Sequence, residues 1–256
     1  PVISPDEEFI VCRGNTTSDD LVIIPVDWSA GYPQPGTPVD VSFPSSNGIA
    51  LIALNPVVAP NGLSLAIPAT NTSGDLVVVT VPRPITSNSV IATNISFPSN
   101  NAVVNPTAAV AVSPDSTYYA VHALPTIADL VVVQVDASGV PTTTTGILWP
   151  QSNNTASTLV PPTISGDGRL IAVNGTQVTS GGDLLLLPMA DDGTPGTALP
   201  VSFPSNNNYL NAALPPVISG DAALVLQRGS ASTGDLVAVQ VTFTSSSVIT
   251  TQETNV

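Results

Sequence analysis

The segment Asp129-Leu-Val-Val-Val-Gln-Val135 decides the fold, because close variants of it recur along the whole chain. Each copy begins with Asp and continues with residues that are almost all apolar. The other copies are Asp20-Leu-Val-Ile-Ile-Pro-Val26, Asp75-Leu-Val-Val-Val-Thr-Val81, Asp183-Leu-Leu-Leu-Leu-Pro-Met189 and Asp235-Leu-Val-Ala-Val-Gln-Val241. Successive Asp residues are 55, 54, 54 and 52 positions apart. A period of this size is typical of stacked supersecondary units, so the repeat predicts one domain built from them.

Two further elements recur in a fixed order around each apolar run. A turn lies 14 or 16 residues upstream and is flanked by short apolar strands. The turns are Pro5-Asp6, Pro60-Asn61-Gly62, Pro114-Asp115, Gly166-Asp167-Gly168 and Gly220-Asp221. An aromatic residue followed by Pro comes 20 to 23 residues downstream, in the copies at Phe43, Phe97, Trp149 and Phe203. The order predicts four short strands per repeat, which is typical of a propeller blade.

The apolar run has hydrophobic side chains at consecutive positions, which indicates a strand buried on both faces. With 26 Pro in the chain, long helices are excluded. The sequence therefore predicts an all-β fold: a single five-bladed β-propeller with four antiparallel strands per blade and essentially no helix. The predicted repeats cover residues 1–55, 56–105, 106–161, 162–215 and 216–256, the last of them incomplete.

One repeat carries a resemblance to a known family. Val110-Ala-Val-Ser-Pro-Asp115, followed by Tyr119-Ala-Val121, resembles the YVTN or lactonase-like β-propeller repeat. Val41-Ser-Phe-Pro44, followed by Asn55-Pro56, is similar to the last strand of that repeat and to the start of the next blade. The Tyr-Val-Thr-Asn tetrapeptide itself is missing. The resemblance implies the fold and not an activity.

Charge and composition restrict the partners. Only 9% of the residues are charged, Lys is absent, and the net charge is −14. This charge excludes nucleic acid and anionic membrane surfaces as partners. No apolar run reaches the ~18 residues needed to span a bilayer. The first residue is Pro1, which indicates a processed or trimmed chain, and the composition favours an extracellular, secreted protein.

Asparagine residues supply the candidate modification and ligand sites. N-glycosylation sequons predict glycans at Asn15, Asn71, Asn94, Asn153 and Asn174. Ser- and Asn-rich segments, expected to form loops on one face of the propeller, supply a candidate ligand face. Its members are Asn47, Asn100, Asn101, Asn154, Asn206 and Asn207.

The residues that could carry catalysis or bind metal are few. His122 stands alone beside strand residues, and Asp191-Asp192-Gly193 reads as a turn more readily than as a calcium loop. Cys12 has no partner for a disulfide and is expected to be a buried, inert thiol. We therefore expect no catalytic residue, no metal, no cofactor and no enzymatic activity.

The end of the chain adds a further indication, since Thr254-Asn255-Val256 aligns with Thr93-Asn94-Ile95 inside the second repeat. Sheet edges left open at such ends can join copies of a chain into a filament. The main functional prediction is thus a secreted, glycosylated structural protein that associates with copies of itself through its blade faces or open ends, as a filament or surface layer. The first alternative is a carbohydrate-binding propeller that uses the Asn-rich face, with aromatic side chains such as Trp149 and Tyr209 as stacking platforms. The second alternative is a lactonase-like hydrolase.

Overall fold

The computed structural model describes residues 1–14, 21–44, 55–71, 74–97, 101–104, 110–125, 128–148, 160–174, 184–201, 203, 214–228, 236–245 and 248–255. These residues form 22 β-strands and no helix, as the sequence predicts. Correspondingly, none of the described segments is a helix able to cross a membrane.

The strands form five antiparallel sheets, one for each predicted repeat. Sheet 1 contains β1 (Val2–Ile3), β2 (Phe9–Arg13), β3 (Leu21–Asp27), β4 (Gln34–Pro35) and β5 (Val39–Val41). Sheet 2 contains β6 (Val57–Val58), β7 (Ser64–Asn71), β8 (Gly74–Thr80) and β9 (Ile91–Ile95). Sheet 3 contains β10 (Asn101–Val104), β11 (Ala111–Val112), β12 (Tyr118–Pro125), β13 (Ala128–Val135) and β14 (Pro141–Leu148). Sheet 4 contains β15 (Thr163–Ile164), β16 (Leu170–Asn174), β17 (Leu184–Pro188) and β18 (Leu199–Val201). Sheet 5 contains β19 (Val217–Ile218), β20 (Leu224–Arg228), β21 (Leu236–Ser245) and β22 (Val248–Asn255).

Every sheet has the same four-stranded core: a two-residue first strand, a second strand, the Asp-Leu-Val run as the third strand, and a fourth strand. The first strands of sheets 2 to 5 contact one another in order, so they lie on the side where the sheets converge. One strand departs from the prediction. Asn101 begins β10, which pairs with the end of β12, where a loop was expected. The backbone at Asn101 is therefore part of sheet 3, because β12 extends beyond its first-strand partner and offers a free edge.

The sheets pack face to face, and consecutive sheets share an apolar core. We call the face that packs on the next sheet the forward face and the face that packs on the preceding sheet the rear face. Leu170 and Leu184, for example, lie on the forward face of sheet 4, and Val225 and Val237 lie on the rear face of sheet 5. Each shared core joins a forward face to a rear face. Because the third strand has apolar side chains on both sides, one strand serves two cores.

The turn between the first and second strands has the same left-handed backbone in each repeat, and in four of the five repeats a Ser hydroxyl accepts a hydrogen bond from the second strand, the exception being Ala59. Ser165 shows the pattern: its hydroxyl accepts a hydrogen bond from the Leu170 amide at 3.0 Å and donates to Asp167 at 2.6 Å. One turn residue in every repeat adopts a left-handed conformation with positive φ. These residues are Glu7, Gly62, Ser116, Gly168 and Ala222, with φ of 60°, 68°, 65°, 73° and 59°. The turn is therefore set by backbone geometry more than by residue type.

Hydrogen bonds across neighbouring sheets complement the apolar cores near these turns. The Tyr118 hydroxyl donates to the Gly168 carbonyl at 2.8 Å. The Tyr119 hydroxyl shares a hydrogen bond of 2.8 Å with Ser64. Burial raises the pKa of both tyrosines above the ordinary value, since a phenolate inside the core would lose its hydration. The tyrosines fix the lateral position of one sheet on the next.

Candidate functional site

The fifth residue of the second strand, here called the end residue, occupies an equivalent position in all five sheets, and four of the five end residues are polar. Each end residue pairs with the Leu that follows the repeated Asp, as His122 does with Leu130. The five end residues are Arg13, Pro68, His122, Asn174 and Arg228. Because the register is the same in every sheet, these residues lie at the same end of the molecule. This is the end opposite the left-handed turns.

Gln227 joins the set from the rear face of sheet 5, one residue before Arg228. We call Arg13, His122, Asn174, Gln227 and Arg228 the end set. His122 is buried within β12, Arg13 is half-buried and Arg228 is exposed. Two of the four cationic side chains of the chain thus belong to the end set.

Asn174 and Gln227 form the best-defined part of the end set. Each side chain is 1% exposed. The Asn174 Nδ2 donates to the Leu214 carbonyl at 2.7 Å, and the Gln227 Nε2 donates to the same carbonyl at 3.3 Å. This common acceptor fixes the orientation of both amides and leaves Asn174 Oδ1 and Gln227 Oε1 buried without a hydrogen-bond partner. Two neighbouring acceptors that require donors form a candidate ligand site.

This site was not predicted from the sequence. Asn174 was predicted only as a glycosylation site, and its amide is buried and donates to the Leu214 carbonyl. The signal that could have identified it was the shared register, because the fifth residue of each second strand can be aligned from the sequence. Glycosylation at all five sequons stays a prediction. Asn94 lies in β9 and Asn71 in β7, while Asn15 and Asn153 fall outside the described residues.

Most of the predicted ligand face also falls outside the described residues. This holds for Asn47, Asn100, Asn154, Asn206 and Asn207. Those of the aromatic side chains considered for sugar stacking that lie in the described part of the chain are buried and cannot stack on a sugar. Phe43, Phe97 and Phe203 are buried in the cores between sheets. Trp149 and Tyr209 fall outside the described part of the chain.

The remaining candidate residues, considered for metal binding or thiol chemistry, lie in a turn and in a strand. The segment from Asp191 to Gly193 is a turn in which Asp192 accepts a hydrogen bond from the Thr194 amide at 2.9 Å. Hydrogen bonds from Thr194 hold the pKa of Asp192 below its ordinary value. Within the described ranges, no three metal-ligating side chains come together. Cys12 is a free, half-buried thiol on the rear face of sheet 1, less enclosed than expected.

No protein-family model and no curated protein matches the sequence. Solved structures do match. A "putative 6-phosphogluconolactonase" from Bacteroides uniformis is 13% identical, with a TM-score of 0.50 over 98% of this chain and 70% of its own. A protein of unknown function from Desulfotomaculum acetoxidans is also 13% identical, with a TM-score of 0.50 over 97% of this chain and 67% of its own. The periplasmic gluconolactonase of Pseudomonas aeruginosa is 15% identical, with a TM-score of 0.48 over 99% and 69%.

These comparisons correct two predictions. The expectations of a non-enzymatic protein and of a structural, filament-forming protein are contradicted, because a solved neighbour of this fold is named as a putative 6-phosphogluconolactonase, which fits the second alternative better. The low charge and high apolar content that favoured a structural protein follow instead from the shared cores, which bury both faces of the third strand in sheets 2 to 4. The resemblance to lactonase-like repeats is confirmed at the level of the fold. The chain is an all-β propeller that resembles the lactonase-like propellers.

Proposed function

We propose that this chain is a hydrolase that opens uncharged cyclic esters of sugar acids, which it binds at the end set. The observation that carries the proposal is the pair of buried, unpaired acceptors on Asn174 and Gln227. The likeness in fold to a protein named as a lactonase supplies the reaction class.

The acceptors favour a polyhydroxylated ligand. An unpaired buried acceptor costs about 1–3 kcal/mol, so a ligand that donates to both regains much of this energy on binding. The adjacent hydroxyls of a sugar lactone are donors that two amide oxygens can accept from. Asn174 and Gln227 would therefore hold the ring hydroxyls and leave the ester to other members of the end set.

His122 and Arg13 are assigned to the chemical step. In lactone hydrolysis a water oxygen attacks the carbonyl carbon, negative charge develops on the carbonyl oxygen, and the ring C–O bond breaks. Imidazole takes up and releases protons near neutral pH, so His122 would accept the proton of the attacking water and pass it to the leaving ring oxygen. The guanidinium of Arg13 would stabilise the developing oxyanion. The product is a hydroxy acid, which loses its proton to the solvent.

Net charge favours an uncharged substrate over a phosphorylated one. At −14 the chain repels anions at long range, and the end set contains only two of its four cations. The same repulsion would speed the departure of the anionic product. Screening by salt weakens both effects.

The test is proton release in a pH-stat with glucono-δ-lactone as substrate. We expect a rate above spontaneous hydrolysis that falls at least ~100-fold in His122→Gln, the usual contribution of a general base. Gln227→Leu removes one acceptor and should raise KM with little change in kcat. Gln34→Leu, at an exposed residue of β4, is the matched control and should behave as the wild type.

Two results would contradict the proposal. One is a wild-type rate equal to that of buffer for every uncharged lactone tried. The other is full activity in His122→Gln. A phosphorylated lactone should be hydrolysed more slowly than the uncharged lactone at low salt, and the ratio of the two rates should approach one as salt is added. A ratio that does not change with salt would contradict the electrostatic explanation.

A further inference from the structure

Four cores join the five sheets, and among the described residues no fifth core joins sheet 5 to sheet 1. Two sheet faces are thereby left over: the forward face of sheet 5 and the rear face of sheet 1. These two faces remain because all sheets stack in the same direction, so that every shared core uses one forward face and one rear face.

The forward face of sheet 5 is apolar and open. Leu236 is 38% exposed and Leu224 is 37% exposed. The residues at the same positions in sheet 4, Leu184 and Leu170, are fully buried. The first strand agrees, since Val217 on this face is 62% exposed. These side chains are aliphatic, as in the shared cores, but no described sheet packs on them.

The rear face of sheet 1 is open in the same sense. Ile10 and Val22 are half-buried, whereas the residues at their positions in sheet 5, Val225 and Val237, are fully buried. Ile3, on the first strand of this face, is 63% exposed. One open face is a forward face and the other is a rear face, which is the combination found in every shared core, yet the two do not pack on each other.

The occupant must offer a rear face to sheet 5 and a forward face to sheet 1. A stack of further sheets of the same type meets this requirement, whatever their number. The solved chain from Bacteroides uniformis sets the number, because the ~250 aligned residues make up 70% of its length. About 100 of its residues then lie outside the aligned part, which is room for about two repeats of this period.

We propose that the open faces of sheets 5 and 1 are docking surfaces for a polypeptide segment of two further four-stranded repeats, which completes the ring between them. A second copy of this chain is the competing occupant. It would place its sheet 1 on sheet 5 of the first copy and leave two faces open again. A two-repeat segment closes both faces at once.

The test uses the chain itself and an extended variant. In the extended variant a copy of residues 96–215 follows Val256. The junction is set by register, since Asn255 pairs with Val237 as Asn94 pairs with Val77, so that Ser96 is the residue that would follow. The added segment supplies a second copy of sheets 3 and 4. Cys12 on the rear face of sheet 1 is the single thiol and reports whether that face is covered.

In the chain of residues 1–256, we expect Cys12 to react readily with a thiol reagent and Leu236→Asp to be tolerated. The matched control, Leu184→Asp, should unfold it. In the extended variant we expect Cys12 to react at least ten times more slowly and the Tm to rise, with Leu236→Asp abolishing both effects.

Several outcomes would overturn the proposal. If Leu236→Asp unfolds the 1–256 chain as Leu184→Asp does, or if monomeric 1–256 already protects Cys12, the faces are covered within the chain. Protection of Cys12 that depends on protein concentration would assign the faces to a second copy. An extended variant that leaves Cys12 reactive, or that aggregates, would show that two such repeats do not fit.

Discussion

The left-handed turn residue gives the sharpest stability prediction, at Glu7. Its φ is 60°, and its side chain is exposed. The conformation is held by backbone bonds that any residue can make: the Glu7 amide donates to Ser4 at 2.9 Å, and its carbonyl accepts from Trp28 at 3.1 Å. The residues at this position in two other repeats, Gly62 and Gly168, are glycine. Glu7→Gly should therefore stabilise the protein.

The magnitude follows from two opposing contributions. Relief of the left-handed conformation is worth about 1–2 kcal/mol, because a Cβ crowds the following carbonyl there. The greater freedom of glycine in the unfolded chain removes about 0.4–1 kcal/mol of this gain. The free energy of unfolding should rise by about 0.5–1 kcal/mol in Glu7→Gly. The converse change, Gly168→Ala, places a Cβ no nearer than 3.8 Å to any neighbour and should by the same balance cost about 0.5–1 kcal/mol.

Urea unfolding at equilibrium measures these changes, with Glu8→Gly as the matched control. Glu8 is also exposed, carries the same charge and has no positive φ. If Glu8→Gly stabilises as much as Glu7→Gly, the gain comes from reduced net charge and the backbone argument fails. A Glu7→Gly variant that unfolds at lower urea than the wild type would refute it directly.

Three further predictions concern the cores and the titratable groups. Leu184→Ala should cost about 2–5 kcal/mol in urea unfolding, and Leu236→Ala markedly less, because Leu236 leaves no closed cavity; equal costs would contradict the open face. Tyr119 has a pKa raised by burial, so unfolding stability should fall as the pH rises above about 10, where only the unfolded chain ionises, and Tyr119→Phe should reduce that fall. Partial burial raises the pKa of Asp6, but hydrogen bonds, including one from Arg83 at 2.6 Å, hold it below the ordinary value. Asp6→Asn should therefore cost up to about 1 kcal/mol at neutral pH in urea unfolding, a difference that disappears as acid protonates the carboxylate.

Much of the fold could be predicted from the sequence, because each repeat contains its own local signals. The run beginning at Leu130 is apolar at consecutive positions, and only a strand between two other sheets buries both sides. The turn at Asp167 is equally local, since its side chain bonds to residues two positions away. Neither signal depends on distant parts of the chain.

The candidate site and the open faces could not be predicted in the same way. Leu184 and Leu236 follow the same Asp in the same motif, yet one is buried and the other is not, because burial depends on the neighbouring sheet. Asn174 and Gln227 are 53 residues apart and meet only through the Leu214 carbonyl. Strand β10 was missed because its pairing depends on a free edge created by the length of β12.

The forward-on-rear stacking has a consequence for how the molecule comes apart. Shared cores join only consecutive sheets in the described structure, so the protein resembles a linear array of units coupled to their nearest neighbours. Sheets 2 to 4 are held on both sides, and sheets 1 and 5 on one side only. Fraying should thus begin at an outer sheet and advance inward by one interface at a time. Amide protection against hydrogen exchange would then form a gradient along the sequence, with its maximum in β12 and β13 at the centre of the array.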